Sequence, residues 1–245
     1  MIEFLAQEKK SSGLFKKMTT EKPYKCEYCG ASFTREKTLA VHMCEKKRRR
    51  LQKNEKRVQT GYYAFTRFYK LSAGTKTEKT YEDFCASPYY NAFVKFGSFV
   101  NNVRPLYPEK YIDYVVTSRV KLDHWCRDAL YEKYATELVL KESMETAIER
   151  SIQTMMDWSA EAEAPWNDYF RYASLSRVTR DIKDGKVSPW LVLNCPSGKE
   201  MLSKFTDEQL EIVYTVIEPK HWALRFKRVP ADVEVVKEVA KESNL

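Results

Sequence analysis

The chain has 245 residues, 43% of them hydrophobic and 13% aromatic, so it can bury a core without disulfide staples and falls outside the disordered class. Seven Gly and nine Pro leave too few turns for a sandwich or barrel of many short strands, and a helical body is expected. The net charge of +8 is uneven: residues 1–60 hold sixteen Lys and Arg against seven Asp and Glu, a net of +9, whereas the remaining residues hold 26 against 27.

That asymmetry predicts a polyanionic partner met by the N-terminal quarter, with nucleic acid ahead of an anionic membrane surface. No segment approaches the ~20 apolar residues of a membrane span. Met1 to Lys10 carries no basic region followed by an apolar run, so neither a membrane partner nor secretion is signalled. Three of the six cysteines cluster beside a His while Cys85, Cys126 and Cys195 are scattered, which favours a reducing, intracellular compartment. Residues 1–19 are expected to form a flexible N-terminal segment.

In chain order, the first informative stretch is Tyr24, Cys26, Cys29, Phe33, Leu39 and His42, ending at Cys44. Two thiolates on a tight knuckle and an imidazole on a following helix are ligands that a tetrahedral Zn2+ takes, and Phe33 with Leu39 supplies a small apolar plug. A unit this small draws its folding free energy largely from the metal. These spacings resemble the CCHH zinc-finger family at every position through His42, and Thr20-Glu21-Lys22-Pro23 resembles the family's inter-finger linker, with Thr20 in place of Gly. The resemblance covers residues 20–44 and implies a ββα finger.

The departure comes at the fourth ligand. The family's second His would fall at Lys46, Lys47 or Arg48, none of which suits zinc; Cys44 offers H-x-C instead. Residues i and i+2 lie about 200° apart on a regular helix, so Cys44 reaches the metal only if the helix unwinds or tightens after His42. Cys26, Cys29, His42 and Cys44 are expected to bind one zinc as a shortened CCHC variant; the alternative is a degenerate finger with water or nothing in the fourth position. In the family's docking geometry the base-facing positions correspond to Arg35, Thr38 and Val41, with Lys37 beside them, and only Arg35 suits a bidentate guanine contact. One finger reads ~3 base pairs, too few for a unique address.

Residues 45–57 carry eight basic side chains: Lys46, Lys47, Arg48, Arg49, Arg50, Lys53, Lys56 and Arg57. A helix over 45–60 that extends the finger is expected to contact phosphates without reading sequence. A solvated surface helix or an import signal are the alternatives. The spacing of Val58, Tyr62, Phe65 and Tyr69 predicts that this helix runs on as an amphipathic one. Tyr62, Tyr63, Phe65, Phe68 and Tyr69 are expected to be core, with base stacking beside Arg67 and Lys70 as the alternative.

Over residues 61–245, helix starts are marked by Ser87-Pro88, by Pro108-Glu109 and by the capping box of Thr206 with Gln209. A long helical stretch over 128–163 is expected to break near Lys141 to Ser143. Trp190 to Leu193, flanked by Pro189 and Pro196, is the one strand or buried-turn candidate. Trp158, Trp166, Tyr169, Phe170 and Tyr172 are expected to be core, with a partner-binding surface as the alternative. Ser197-Gly198-Lys199-Glu200 lacks the upstream Gly and the Ser or Thr of a phosphate loop. Asp181, Asp184 and Lys186 are read as a solvated loop around Gly185 rather than a nuclease-like acidic pair, and His124, at H-x-C spacing from Cys126, as a helix-face or core histidine rather than part of a second metal site.

The fold class is therefore expected to be mainly α: a small ββα zinc finger at 20–44, a basic helical linker at 45–60 and a multi-helix body at 61–245. The expected function is a non-enzymatic, nucleic-acid-binding accessory role in transcription or replication, DNA before RNA, with a protein partner on the body. The alternatives are a protein-interaction adaptor with a purely structural finger and an unrecognised nuclease. The layout also resembles uncharacterised proteins of large tailed phages, which implies a bacterial host cytoplasm, whereas the finger family implies a nucleus.

Overall fold

The computed structural model describes residues 24–245. The expected flexible segment at 1–19 and the linker-like Thr20 to Pro23 lie outside the described residues. Among the described residues the chain is mainly helical, with two short strands near the start. It divides into two units, the first ending at Lys53 and the second running from Asn54 to Leu245.

In the first unit, β1 (Tyr24–Lys25) pairs antiparallel with β2 (Ser32–Phe33), Tyr24 opposite Phe33 and Lys25 opposite Ser32. The turn between them needs Gly30 at a φ of +75°, where a Cβ would be strained, and Gly30 N–H donates to the Cys26 carbonyl at 2.8 Å. Helix α1 (Glu36–Val41) follows, then α2 (Glu45–Leu51). Neither helix buries a residue, and Cys26 is the one buried side chain described in this unit.

The basic stretch is not one helix. Gln52 to Asn54 tighten into a 3-10 turn, Glu55 is extended (φ −69°, ψ 130°), and α3 (Lys56–Leu71) starts afresh with the Glu55 carbonyl accepting from Val58 and Gln59. Asn54, a residue that competes for backbone partners and favours helix ends, sits at the break. The expectation of a helix continuous from the finger through 45–60 into residue 69 is corrected accordingly.

The second unit has two apolar clusters. The first gathers α3, α4 (Tyr81–Ala86), α5 (Tyr90–Val103), α6 (Pro108–Thr117) and α7 (Asp128–Lys141) around Phe65, Phe84, Phe93, Phe96, Tyr111 and Trp125. Helices α3 and α5 touch backbone to backbone. A Cβ on Gly97 would lie 2.1 Å from the Arg57 carbonyl oxygen and one on Gly61 2.7 Å from that of Phe93. Gly97→Ala is therefore expected to cost about 3 kcal/mol or more, at or beyond the upper end of overpacking penalties, because backbone must move. An unchanged urea midpoint for that variant would show that the crossing is looser than described.

The second cluster is built by α8 (Met144–Ala162), α9 (Tyr169–Tyr172), α10 (Leu175–Lys183), α11 (Pro189–Val192), α12 (Pro196–Ser203), α13 (Asp207–Ile217), α14 (Pro219–Arg228) and α15 (Pro230–Glu242). Local start signals do what the sequence predicts. Thr206 and Gln209 close a capping box, Pro108 opens α6, and the 128–163 stretch breaks at Glu142 and Ser143, where Ser143 caps α8. The Ser87-Pro88 start lies two residues ahead of α5.

Of the two readings open for Trp190 to Leu193, the buried turn holds: Pro189–Val192 is a buried helical turn capped by Ser188. One expectation is corrected. The Gly185 segment is not solvated: Gly185 sits at φ +71°, buried where a Cβ would lie 2.7 Å from Val139 Cγ2. Of the aromatic group at 158–172, Trp158, Tyr169 and Phe170 are core, Trp166 packs against it, and Tyr172 is 72% exposed.

Candidate metal centre

Each ligand of the N-terminal cluster is set by local backbone. The knuckle between β1 and β2 carries Cys26 and Cys29, with Cys26 N–H donating to the Ala31 carbonyl at 2.8 Å. Helix α1 stops at Val41 because His42 turns extended (φ −67°, ψ 117°), which removes the 200° offset of a regular helix and brings Cys44 round to the side of His42. Cys44 is then the N-cap of α2, its sulfur accepting from Lys47 N–H at 3.4 Å. The helix break after Val41 meets the condition under which H-x-C spacing brings Cys44 beside His42.

The four donor atoms lie within 4.8 Å of one another and could hold a metal ion; among the described residues this is the one such group of three or more ligands. Cys26 Sγ is 3.9 Å from Cys44 Sγ, and Cys29 Sγ is 3.3 Å from His42 Nε2. Phe33 packs on the His42 ring at a centroid distance of 4.8 Å. Backbone N–H groups of Cys29 and Tyr28 donate toward Cys26 and hold its thiol below the ordinary value. At Cys29 the Ala31 N–H pulls down, but desolvation and the neighbouring sulfurs of Cys26 and Cys44 leave the thiol raised.

Around this centre the basic residues take different positions. Arg35 is the N-cap of α1 and is exposed, as are Lys37, Thr38 and Val41, with Val41 81% exposed. On α2, Lys46, Arg48 and Arg50 are exposed, and Arg50 lies over the Tyr28 ring at 5.5 Å, a contact that no spacing rule signals. Lys47 is half-buried with Nζ donating to the His42 carbonyl at 3.5 Å, and Arg49 pairs with Glu45 one turn back. Lys53 is exposed just past α2; in the second unit Lys56 is exposed and Arg57 pairs with Glu55 at 2.8 Å.

The other candidates are not gathered into such a group. Asp181 is 1% exposed and accepts from the Tyr169 hydroxyl at 2.8 Å and from Arg177 Nε at 2.9 Å. Asp184 caps the end of α10, where burial first of all raises its carboxyl above the usual range. His124 ends the 3-10 turn Leu122–His124 and belongs to no ligand group among the described residues. No family model, no curated protein and no solved structure matches the chain.

Proposed function

We propose that Cys26, Cys29, His42 and Cys44 hold one Zn2+ as a CCHC finger variant, and that this finger, with α2, forms a nucleic-acid-binding module. The observation that carries the metal reading is the donor spacing. A tetrahedral zinc with Zn–S of ~2.3 Å and Zn–N of ~2.0 Å has sulfur–sulfur edges of about 3.8 Å and sulfur–nitrogen edges of about 3.5 Å. The 3.9 Å and 3.3 Å separations fit both. Three soft thiolates and an imidazole suit zinc over a hard cation. Zinc here supplies folding free energy and a rigid frame.

The frame sets the function. Closing the metal through Cys44 makes a ligand the cap of the basic helix, so the ion fixes where α2 starts. Lys46, Arg48 and Arg50 then stand exposed on a short, ordered helix, as Arg35 and Lys37 stand exposed at the start of α1, and these side chains contact phosphates, with Arg35 alone suited to a base. Sequence specificity is low, as expected of one finger. The chain acts as an accessory protein whose helical unit supplies the targeting.

A salt titration of labelled duplex and single-stranded DNA tests this. Each phosphate neutralised contributes about −0.9 to the slope of log affinity against log salt on duplex. With Arg35, Lys37, Lys46, Arg48 and Arg50 engaged, a slope between about −3 and −5 is expected. Lys46→Gln with Arg48→Gln should make it shallower by nearly 2. No binding at low salt would sink the nucleic-acid reading and leave the adaptor reading, in which the same helix docks on an acidic protein.

A further inference from the structure

The second unit contains a basic cavity lined by residues of one helix and the loop that follows it. It lies between the C-terminal half of α3 and the loop at 72–80, with a volume of about 470 Å³, within the range of small-molecule sites. The loop is tied to α3 at both ends. Thr75 N–H and Oγ1 both donate to the Tyr69 carbonyl, at 3.1 and 3.0 Å, and the Tyr62 hydroxyl donates to the Lys79 carbonyl at 2.9 Å. A Gly at φ +59°, Gly74, makes the turn between these ties.

The lining is cationic in a unit that is not. Residues 61–80 hold four Lys and Arg against one Asp or Glu, a net of +3, whereas residues 81–245 hold 22 against 26, a net of −4. Lys70, Lys76 and Lys79 line the cavity against the single acid Glu78. Arg67 also lines it but is neutralised by a two-point pair with Asp113 of α6, at 2.6 Å on both arms, which fixes the wall.

The aromatic wall is Tyr63. Every other aromatic ring of α3 has a ring partner: Tyr62 meets Tyr81 and Phe84, Phe65 meets Phe84 and Phe93, and Phe68 meets Phe93 and Trp125. Tyr69 packs on Phe65 and carries the Lys79 ammonium at 5.0 Å from its centroid. Tyr63 is half-buried on the cavity wall and has no ring partner among the described residues. Glu109 and Asp113 of α6 and Arg67 are the charges that act on Tyr63. Lys70, Lys76 and Lys79 line the same cavity, so a ring without a ring partner and three ammonium groups match a ligand that is flat at one end and polyanionic at the other.

We propose that this cavity binds a nucleoside phosphate, the base against Tyr63 and the phosphate on Lys70, Lys76 and Lys79. The chemistry is shared by a free nucleotide and by one unit of a single strand. The site is built wholly from residues of the second unit and does not depend on the metal reading.

Anisotropy titrations of the full-length protein with fluorescent ATP and with fluorescent oligo(dT) test it. Lys70→Gln with Lys76→Gln, both exposed, is expected to weaken binding about tenfold or more, and Tyr63→Leu, which leaves the charge unchanged, roughly tenfold, the scale of one base–aromatic stack. Cys26→Ser should leave the ATP result intact, which separates failure of the finger from failure of this site. Tyr63-sensitive binding of ATP identifies a free nucleotide, and of oligo(dT) alone a strand. The proposal is overturned by absence of saturable binding of either probe, by variants that bind like wild type, or by loss on the lysine pair with Tyr63→Leu neutral. Matching thermal transitions show that the variants are folded.

Discussion

Cys26→Ser, or removal of the metal by a chelator, is expected to unfold the first unit outright. Apart from Cys26 that unit buries no described side chain, Phe33 and Leu39 are half-exposed, and its two helices have six and seven residues, lengths that are marginal alone in water. Packing this sparse does not offset the conformational entropy of some thirty ordered residues, and the proposed zinc supplies the difference. Structural zinc in units of this size supplies an apparent ~10 kcal/mol or more at neutral pH, so loss of one thiolate removes most of what holds β1, β2, α1 and α2 together.

The readout is twofold. With Co2+ in place of zinc, wild type is expected to show tetrahedral d–d and thiolate charge-transfer absorption that the variant lacks. In amide spectra the resonances of residues 24–51 should collapse, while the second unit, with two apolar clusters of its own, keeps its dispersion. Cys44→Ser separates a four-ligand site from a finger closed by water. Loss of the ligand should exceed the roughly 10–100-fold that removal of an outer hydrogen-bond partner costs, whereas a water-closed site would change little. Retained Co2+ absorption in Cys26→Ser would overturn the assignment.

Glu142→Ala is expected to destabilise the second unit by about 3–5 kcal/mol. Its carboxylate is 2% exposed and is held by Arg150, with one arm at 2.8 Å, and by the Ser188 hydroxyl at 2.7 Å. Arg150 in turn donates to the Gly185 carbonyl at 2.7 Å. Arg225 donates to the carbonyls of Leu140 and Glu142, which end α7, and lies 5.4 and 5.5 Å from the ring centroids of Trp190 and Trp222. The Arg225 guanidinium is shifted below its ordinary range by burial, whereas at Arg150 the Glu142 carboxylate overcomes the same desolvation and holds the charge.

Removing Glu142 leaves the Arg150 charge buried without its counter-ion, and that uncompensated charge, more than a lost bond, is the source of the cost. For a unit of this size each kcal/mol lowers Tm by about 2–4 °C, so a fall of roughly 6–20 °C is expected. Arg150→Met alone should cost a similar amount. Glu142→Gln combined with Arg150→Met should recover most of it, since no lone charge remains. A double variant no better than either single change would show that the network acts through geometry rather than charge.

Where the controlling interaction spans a few residues, the sequence was legible. The ligand types at Cys26, Cys29, His42 and Cys44 announce a metal cluster, and the mismatch between H-x-C and a regular helix already required the break that the structure has after Val41. The Thr206 capping box, the proline start of α6 and the stop at Lys141 are equally local, since a cap joins a side chain to a backbone group three residues away.

Tertiary contacts decided the rest. Nothing near Gly185 in sequence marks it as buried; Val139 and Leu106 come from elsewhere in the chain to cover it. Trp190 to Leu193 leaves strand and buried turn open because its apolar run has no period, and burial on both sides decides for the helical turn Pro189–Val192. The Glu142 network joins residues 46 and 83 positions apart. Tyr63 has the same composition around it as Tyr62; only packing leaves one paired and the other facing a basic cavity. Metal ligation and capping are short-range and written in order along the chain, whereas burial and charge pairing depend on which distant segments meet.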